Sequence, residues 1–387
     1  MARGGIENYP RGFGGERVPQ YLRDIPDRDY IILPGDQMSF TEQGRLIENT
    51  AFASSLLPKW LKGDTQNSAI TSATTRLVGY ILTSVDSSYG KDDKTPGARY
   101  LADPLGENSV PMFYHNGDTA RIVLQETVNE MNRRNQVDGK RSFFYDPHAF
   151  LTTMIAAAAG DLISDGERRE QENRTATLTK AFINAECWGY DFSQASVVIN
   201  GDEKSIPDVV ENTIIASTFN EAKKVQMGGS NPISDVVNDG DLAPLFLRQS
   251  TKKSICLSVE DLWRGATSEQ WEQLLREAAV DRAFVGHHIE DFLSLIDEGF
   301  EIRRPSFLAK AAGRYLILNA EFVDPDGIVH GTKIGHRYKN EQLQGLTLRQ
   351  RKENADFQRN LGARVFVGDI TMKEAYRQAS NFRFKSL

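Results

Sequence analysis

The chain has 387 residues, 40% hydrophobic and 26% charged, with a net charge of −7; that is apolar mass for two or three cored domains. No apolar run approaches the ~18 residues of a spanning helix, and the N-terminus has no apolar leader core, so neither a transmembrane segment nor a secretory signal is expected. Overall acidity disfavours generic nucleic-acid binding.

Charge is uneven. From Phe300 onward 16 basic residues face 9 acidic ones, a balance of +7, while the preceding part carries −14. This predicts a basic C-terminal surface for an acidic partner, or an internal contact between the halves. Cys187 and Cys256 sit among helix-like residues and are expected as buried reduced thiols of a cytoplasmic chain.

Residues 1–30, rich in Gly, Arg and Pro, read as a flexible arm. Tyr30–Leu33, stopped by Pro34-Gly35, reads as a short strand or anchoring clip. Ser39 or Thr41 caps a helix carrying Leu46, Ile47, Phe52 and Leu56, and a second runs from about Ser68 to Ser84 through Leu77, Ile81 and Leu82. Residues 86–112 read as a long loop. Asp118 opens a helix, and Asp146-Pro147 opens a stronger one with Phe150, Leu151, Met154, Ile155 and Ala158 on its buried stripe. A helix over Thr175–Trp188 follows. Val197–Ile199 is strand-like and Asn200-Gly201 favours a tight turn.

Ser205–Gln226 reads as helix, and Met227–Pro244 as a loop and the best internal boundary. Ser258 with Asp261 resembles a helix start. Thr267 or Ser268 begins another helix. Val285, Ile289, Phe292, Leu293 and Ile296 form a core stripe that Gly299 ends. Phe307–Asn319 reads as helix, Phe322–Val329 as a hairpin about Asp324–Gly327, and the tail from Leu346 as a basic helix with a last helix near Thr371–Ser380. The expected fold is mainly α: irregular helical domains with a small β-hairpin. Its divisions are the arm 1–30, a helical region 31–240, and a helical region 241–387 with a basic surface.

No phosphate loop or nucleophile elbow occurs. His287 and Asp291, with His288 adjacent, stand one helical turn apart, but no third ligand of defined spacing accompanies that pair, so they read as a helix flank. His330 and His336 flank Lys333 and Arg337 in a solvated loop. His115 and His148 fall at element starts, where they cap or pack. Asp324-x-Asp326-Gly327 lacks the closing Glu of a calcium loop and reads as a turn. Neither a catalytic constellation nor a metal or cofactor site is expected. Arg133-Arg134 and Lys140-Arg141 read as solvated faces. The candidate binding residues are Arg303, Arg304, Lys310, Arg314, Lys333, Arg337, Arg349, Arg351 and Lys352, whose cations could hold carboxylates in pairs.

Four segments, in order, resemble the cytoplasmic part of the DotM/IcmP and TrbA proteins, coupling-complex subunits of type IVB secretion and IncI-type conjugation systems. They are Gly117–Val123 with Gln125; Pro147-His148-Ala149-Phe150; Ala283-Phe284-Val285 through Gly299 to Ser306-Phe307-Leu308 and Leu316–Asn319; and Gly362-x-Arg364-x-Phe366-Val367 with Ile370 and Glu374-Ala375. The resemblance covers 110–387. The family's N-terminal transmembrane helices are absent, and Ala309–Arg314 replaces its tryptophan-rich, proline-containing stretch. The resemblance implies an adaptor that holds acidic signals or partner subunits, a coupling ATPase among them, at the cytoplasmic side of the inner membrane. The alternative is a helical structural or assembly protein of a phage or other mobile element.

Overall fold

Ser39 starts the first helix, α1 (Phe40–Leu56). Its hydroxyl accepts from the Glu42 amide (3.3 Å) while Glu42 accepts from the Ser39 amide (2.7 Å), a complete capping box. In the computed structural model, residues 34, 37–92, 112–163, 171–220, 225–226, 231–245, 250–265, 289–298, 307–324 and 347–384 are described. They divide into two compact units, one drawn from 1–88, 120–218 and 226–241, the other from 89–119, 219–225 and 242–387. The fold is mainly α with a small antiparallel hairpin, and no described helix is long and apolar enough to cross a membrane.

The first unit is organised around a buried helix. After the short α2 (Lys59–Lys62), α3 (Ser68–Tyr89) is buried without interruption from Leu77 to Ser88. A helix covered on all sides needs other elements around it. Gly79 supplies one approach: a Cβ there would lie 2.8 Å from the Thr50 Cα on α1. Tyr80 packs edge-on against Phe182 and Trp188. The loop expected from residue 86 begins later, because Asp86–Tyr89 continue α3.

Asp86 explains that continuation. Its fully buried carboxylate pairs with Arg121 of α4 (Gly117–Asp138), and Asn49 of α1 donates to it at 3.0 Å. Asn49 also donates to Thr83 Oγ1 (3.1 Å) and accepts twice from Arg121 (2.9 and 3.2 Å). Three helices thus share one buried polar network, whose charges are tolerated inside because they are paired.

Asp146 caps α5 (Pro147–Ala159), with proline in the first turn, and every residue from Ala149 to Ala159 is buried. Next comes α6 (Gln171–Ile183), then a turn of 3-10 helix at Glu186–Trp188. Cys187, expected buried, is exposed on that turn, because Trp188 takes the inward position and its indole N–H donates to the Phe182 carbonyl (2.6 Å). Strands β1 (Ser196–Ile199) and β2 (Asp202–Ser205) pair antiparallel around Asn200-Gly201, both at positive φ as this turn requires.

Ser205 caps α7 (Ile206–Ala216), which stops ten residues short of the expected end. Two-residue strands β3 (Phe219–Asn220) and β4 (Val225–Gln226) follow. The supposed loop 227–244 contains α8 (Pro232–Leu242). Asn231 accepts from the Ser234 amide (2.9 Å), Pro232 fits the first turn, and Ile233, Val236 and Val237 are buried. Its Gly240 closes on α4, where a Cβ would lie 3.0 Å from the Val123 carbonyl oxygen.

The second unit holds α9 (Ser250–Gly265), α10 (Ile289–Glu298), α11 (Phe307–Val323), α12 (Leu348–Val367) and α13 (Met372–Asn381). Ile255, Val259, Ile289, Leu293, Ile296, Leu316, Leu361, Val365 and Met372 form its core. Ser258 begins no helix. It lies inside α9 and its hydroxyl donates to the Ser254 carbonyl (2.6 Å). Phe322 and Val323, expected in a hairpin, end α11; residues 325–346 and 266–288, with the remaining expectations there, lie outside the described residues.

Replacing Asp86 by Ala strands Arg121 in a largely buried position and should cost about 3 kcal/mol in urea unfolding. Glu126 on α4 yields a second expectation. Burial raises its carboxyl to about 7, against a weaker lowering by the Asn129 side chain. A raised folded pKa contributes stability that is full below the ordinary value of 4.5 and lost as pH rises through about 7. Glu126→Gln should therefore exceed the wild type by ~1–2 kcal/mol at pH 8, after discounting for partial exposure, and converge with it near pH 5 when chemical denaturation is followed across that range.

Candidate functional site

The candidate cations depend on the pairing of α11 with α12. A Cβ on Gly313 would stand 2.6 Å from the Gly362 carbonyl oxygen and 2.7 Å from the Phe366 amide nitrogen. One on Gly362 would stand 2.7 Å from the Gly313 carbonyl oxygen. The two backbones touch where neither residue carries a side chain, as in small-residue helix crossings generally. Further along, Arg359 of α12 donates to Asp324, just after α11, at 2.8 Å. Residue numbers rise on one helix as they fall on the other, so the pair is antiparallel.

This registry places the expected residues. Lys310 and Arg314 are exposed on α11, level with the C-terminal half of α12. Arg349 and Lys352 are exposed in the first turns of α12. At 1.5 Å per residue the two pairs lie about 14–24 Å apart along the axis. The fold brings Lys310 near Arg314 by helical spacing, and Arg349 near Lys352, but does not merge the pairs into one pocket. Arg351 is a correction: only 4% exposed, it belongs to the buried side of α12 and cannot join a surface. Its neighbour in phase, Asn354, is buried too and accepts from Thr251 of α9 (2.8 Å). Arg303, Arg304, Lys333 and Arg337 lie outside the described residues, as do His287, His288, His330 and His336.

Other cations of this region are engaged. Arg359 also pairs with Asp356 (2.7 Å), and its bond to Asp324 raises its pKa further. Arg364 pairs with Asp369 (3.2 Å). Arg377 and Gln378 hold Glu374 down to about 2. Among the described residues, Lys310, Arg314 and Arg349 form no ion pair. Asp297 of α10 accepts from the Met372 and Lys373 amides (2.8 and 2.9 Å), anchoring the start of α13. Burial raises its pKa, and those two bonds oppose the rise.

Long-range contacts missed in the sequence hold α9. Glu260, fully buried, accepts from the amides of Tyr114 and His115 (3.1 Å for His115) and meets His115 Nδ1 at 2.7 Å. Lys253, 3% exposed, donates to Asp118 (2.8 Å) and Thr119 Oγ1 (3.0 Å). Both contacts fasten residues 112–119 to α9, and separations above 130 residues left no local signal. Among the described residues no three His, Cys, Asp or Glu side chains gather as a metal site. Comparison with protein-family models, curated proteins and solved structures finds no match.

The crossing yields a stability test. Alanine favours a helix over glycine by ~1 kcal/mol, yet Gly313→Ala and Gly362→Ala each force backbone against backbone. Each should lose about 2 kcal/mol in thermal or urea unfolding. A gain would mean that the helices do not touch there.

Proposed function

We propose that the chain is a non-enzymatic adaptor of a type IV secretion or conjugation coupling complex, and that its C-terminal unit binds acidic protein segments. Its partners in this reading are other protein subunits, a coupling ATPase among them. Its place is the cytoplasm, at the inner membrane through those partners. The observation that supports the reading is the set of exposed cations Lys310, Arg314 and Arg349, without ion pairs among the described residues, on a glycine-locked helix pair. Long cations held on a rigid frame remain available for carboxylates, and the +7 balance after Phe300 adds long-range attraction.

The spacing narrows the ligand. An extended chain advances about 3.3 Å per residue, so a separation of about 14–24 Å corresponds to carboxylates roughly four to seven residues apart. The fitting ligand is an acidic stretch, and a single carboxylate is too small. Arg303, Arg304, Lys333 and Arg337 extend the basic set in this reading.

Fluorescence anisotropy with a labelled Glu-rich peptide of about a dozen residues tests it. Affinity should fall steeply as salt rises from about 50 to 300 mM. Lys310→Glu with Arg314→Glu, and separately Arg349→Glu with Lys352→Glu, should each weaken binding about tenfold, roughly 1.4 kcal/mol. Binding indifferent to salt and to both reversals, in folded protein, would falsify the reading.

A further inference from the structure

The first unit carries an apolar stripe that stays exposed among the described residues. On α1, Phe40 is 91% exposed and Ile47 72%, and Gly44 and Ala51 are exposed between and beyond them. At 3.6 residues per turn these four positions fall within an arc of about 60°. The buried residues Asn49, Ala53 and Leu56 face the opposite way. The spacing of four, three and four residues is that of a seam between two paired helices.

Gly44 adds a second observation. A glycine inside a helix lowers its stability relative to alanine. At Gly79, Gly240, Gly313 and Gly362 a neighbouring element in the same unit accounts for the missing side chain; at Gly44 nothing lies within 4 Å. The residue is small where no described residue uses the space.

We infer that this stripe joins two copies of the chain, α1 against α1, antiparallel about a twofold axis between Arg45 and Leu46. In that register Phe40 faces Ala51 of the second copy and Ile47 faces its Gly44, and symmetry repeats both contacts. Each large side chain meets a small one. Glu48 lies level with Gln43 of the second copy, so like charges are kept apart there. Parallel pairing would set Phe40 on Phe40, leave Gly44 opposite Gly44, and bring Glu48 beside Glu48. The stripe spans about 16 Å, too short to bury the ~1,000 Å² of a stable interface. The dimer is therefore weak and concentration-dependent, with a dissociation constant of roughly micromolar order.

Sedimentation velocity on the full chain, across roughly 1–200 μM, should show monomer passing to dimer. Phe40→Glu and Ile47→Glu alter exposed side chains, so the fold should persist by circular dichroism while association weakens at least tenfold. Gly44→Leu, which fills the gap, should weaken it as well. Because Cys187 is exposed, cross-linking uses a Cys187→Ser background. Oxidising a mixture of the Phe40→Cys and Ala51→Cys chains should give a disulfide-linked dimer, and neither chain alone should. A wild type that stays monomeric throughout overturns the inference and leaves the stripe to a different protein. Dimers indifferent to the Glu variants overturn it too, as does a Phe40→Cys chain that cross-links to itself as readily as to its mixed partner.

Discussion

The contact between Gly313 and Gly362 governs what the second unit can present to solvent. Carbonyl oxygens of one helix lie where the other helix would carry a Cβ, so the pair cannot slide or rotate without steric overlap. This fixes the antiparallel registry, and the registry decides which cations face water and which, like Arg351, turn inward. Gly79 and Gly240 perform the same service in the first unit, bringing α3 to α1 and α8 to α4. Backbone proximity also permits weak Cα–H···O contacts, small individually but tied to a single alignment.

Both units also bury charge and pair it. Asp86 with Arg121 connects helices in the first unit, while Glu260 and Lys253 tie α9 to residues 112–119 in the second. Such groups add less net stability than well-packed hydrophobic replacements, but each punishes any arrangement that separates its partners. Apolar packing drives association of the helices, and these polar pairs select among ways of packing. The motif Gly117–Val123 illustrates this, since Asp118, Thr119 and Arg121 all point their polar atoms at such partners.

Local chemistry was readable where a residue acts within its own turn. Ser39 and Asp146 as caps, Asn200-Gly201 as a turn, and Ile289, Leu293 and Ile296 as a core stripe all follow from short-range rules. Errors arose where tertiary burial outweighed composition. The Gly- and Asp-containing stretch of α8 looked like a loop because its helix draws on Ile233, Val236 and Val237 meeting other elements. Ser258 looked like a cap because Asp261 follows it at the spacing of a capping box, while the helix already running through Ile255, Cys256 and Val259 is held by burial against other elements. For the candidate site, Lys310, Arg314, Arg349 and Lys352 are exposed, Arg351 is buried, and the sequence held no sign of either that burial or the separation. Distance between Arg314 and Arg349 depends on the glycine crossing, and a crossing between residues 313 and 362 has no signature in either helix alone.

The long separations inside the second unit have a consequence for the order in which the chain matures. The amides of Tyr114 and His115 find their acceptor, Glu260, 145 residues later or more. At a synthesis rate of about 5–20 residues per second, that interval lasts roughly 7–30 s. Asp86 waits only for Arg121, 35 residues on. The nascent first unit can therefore neutralise its interior charge early, while residues 112–119 emerge from the ribosome with donors that water must serve until α9 arrives.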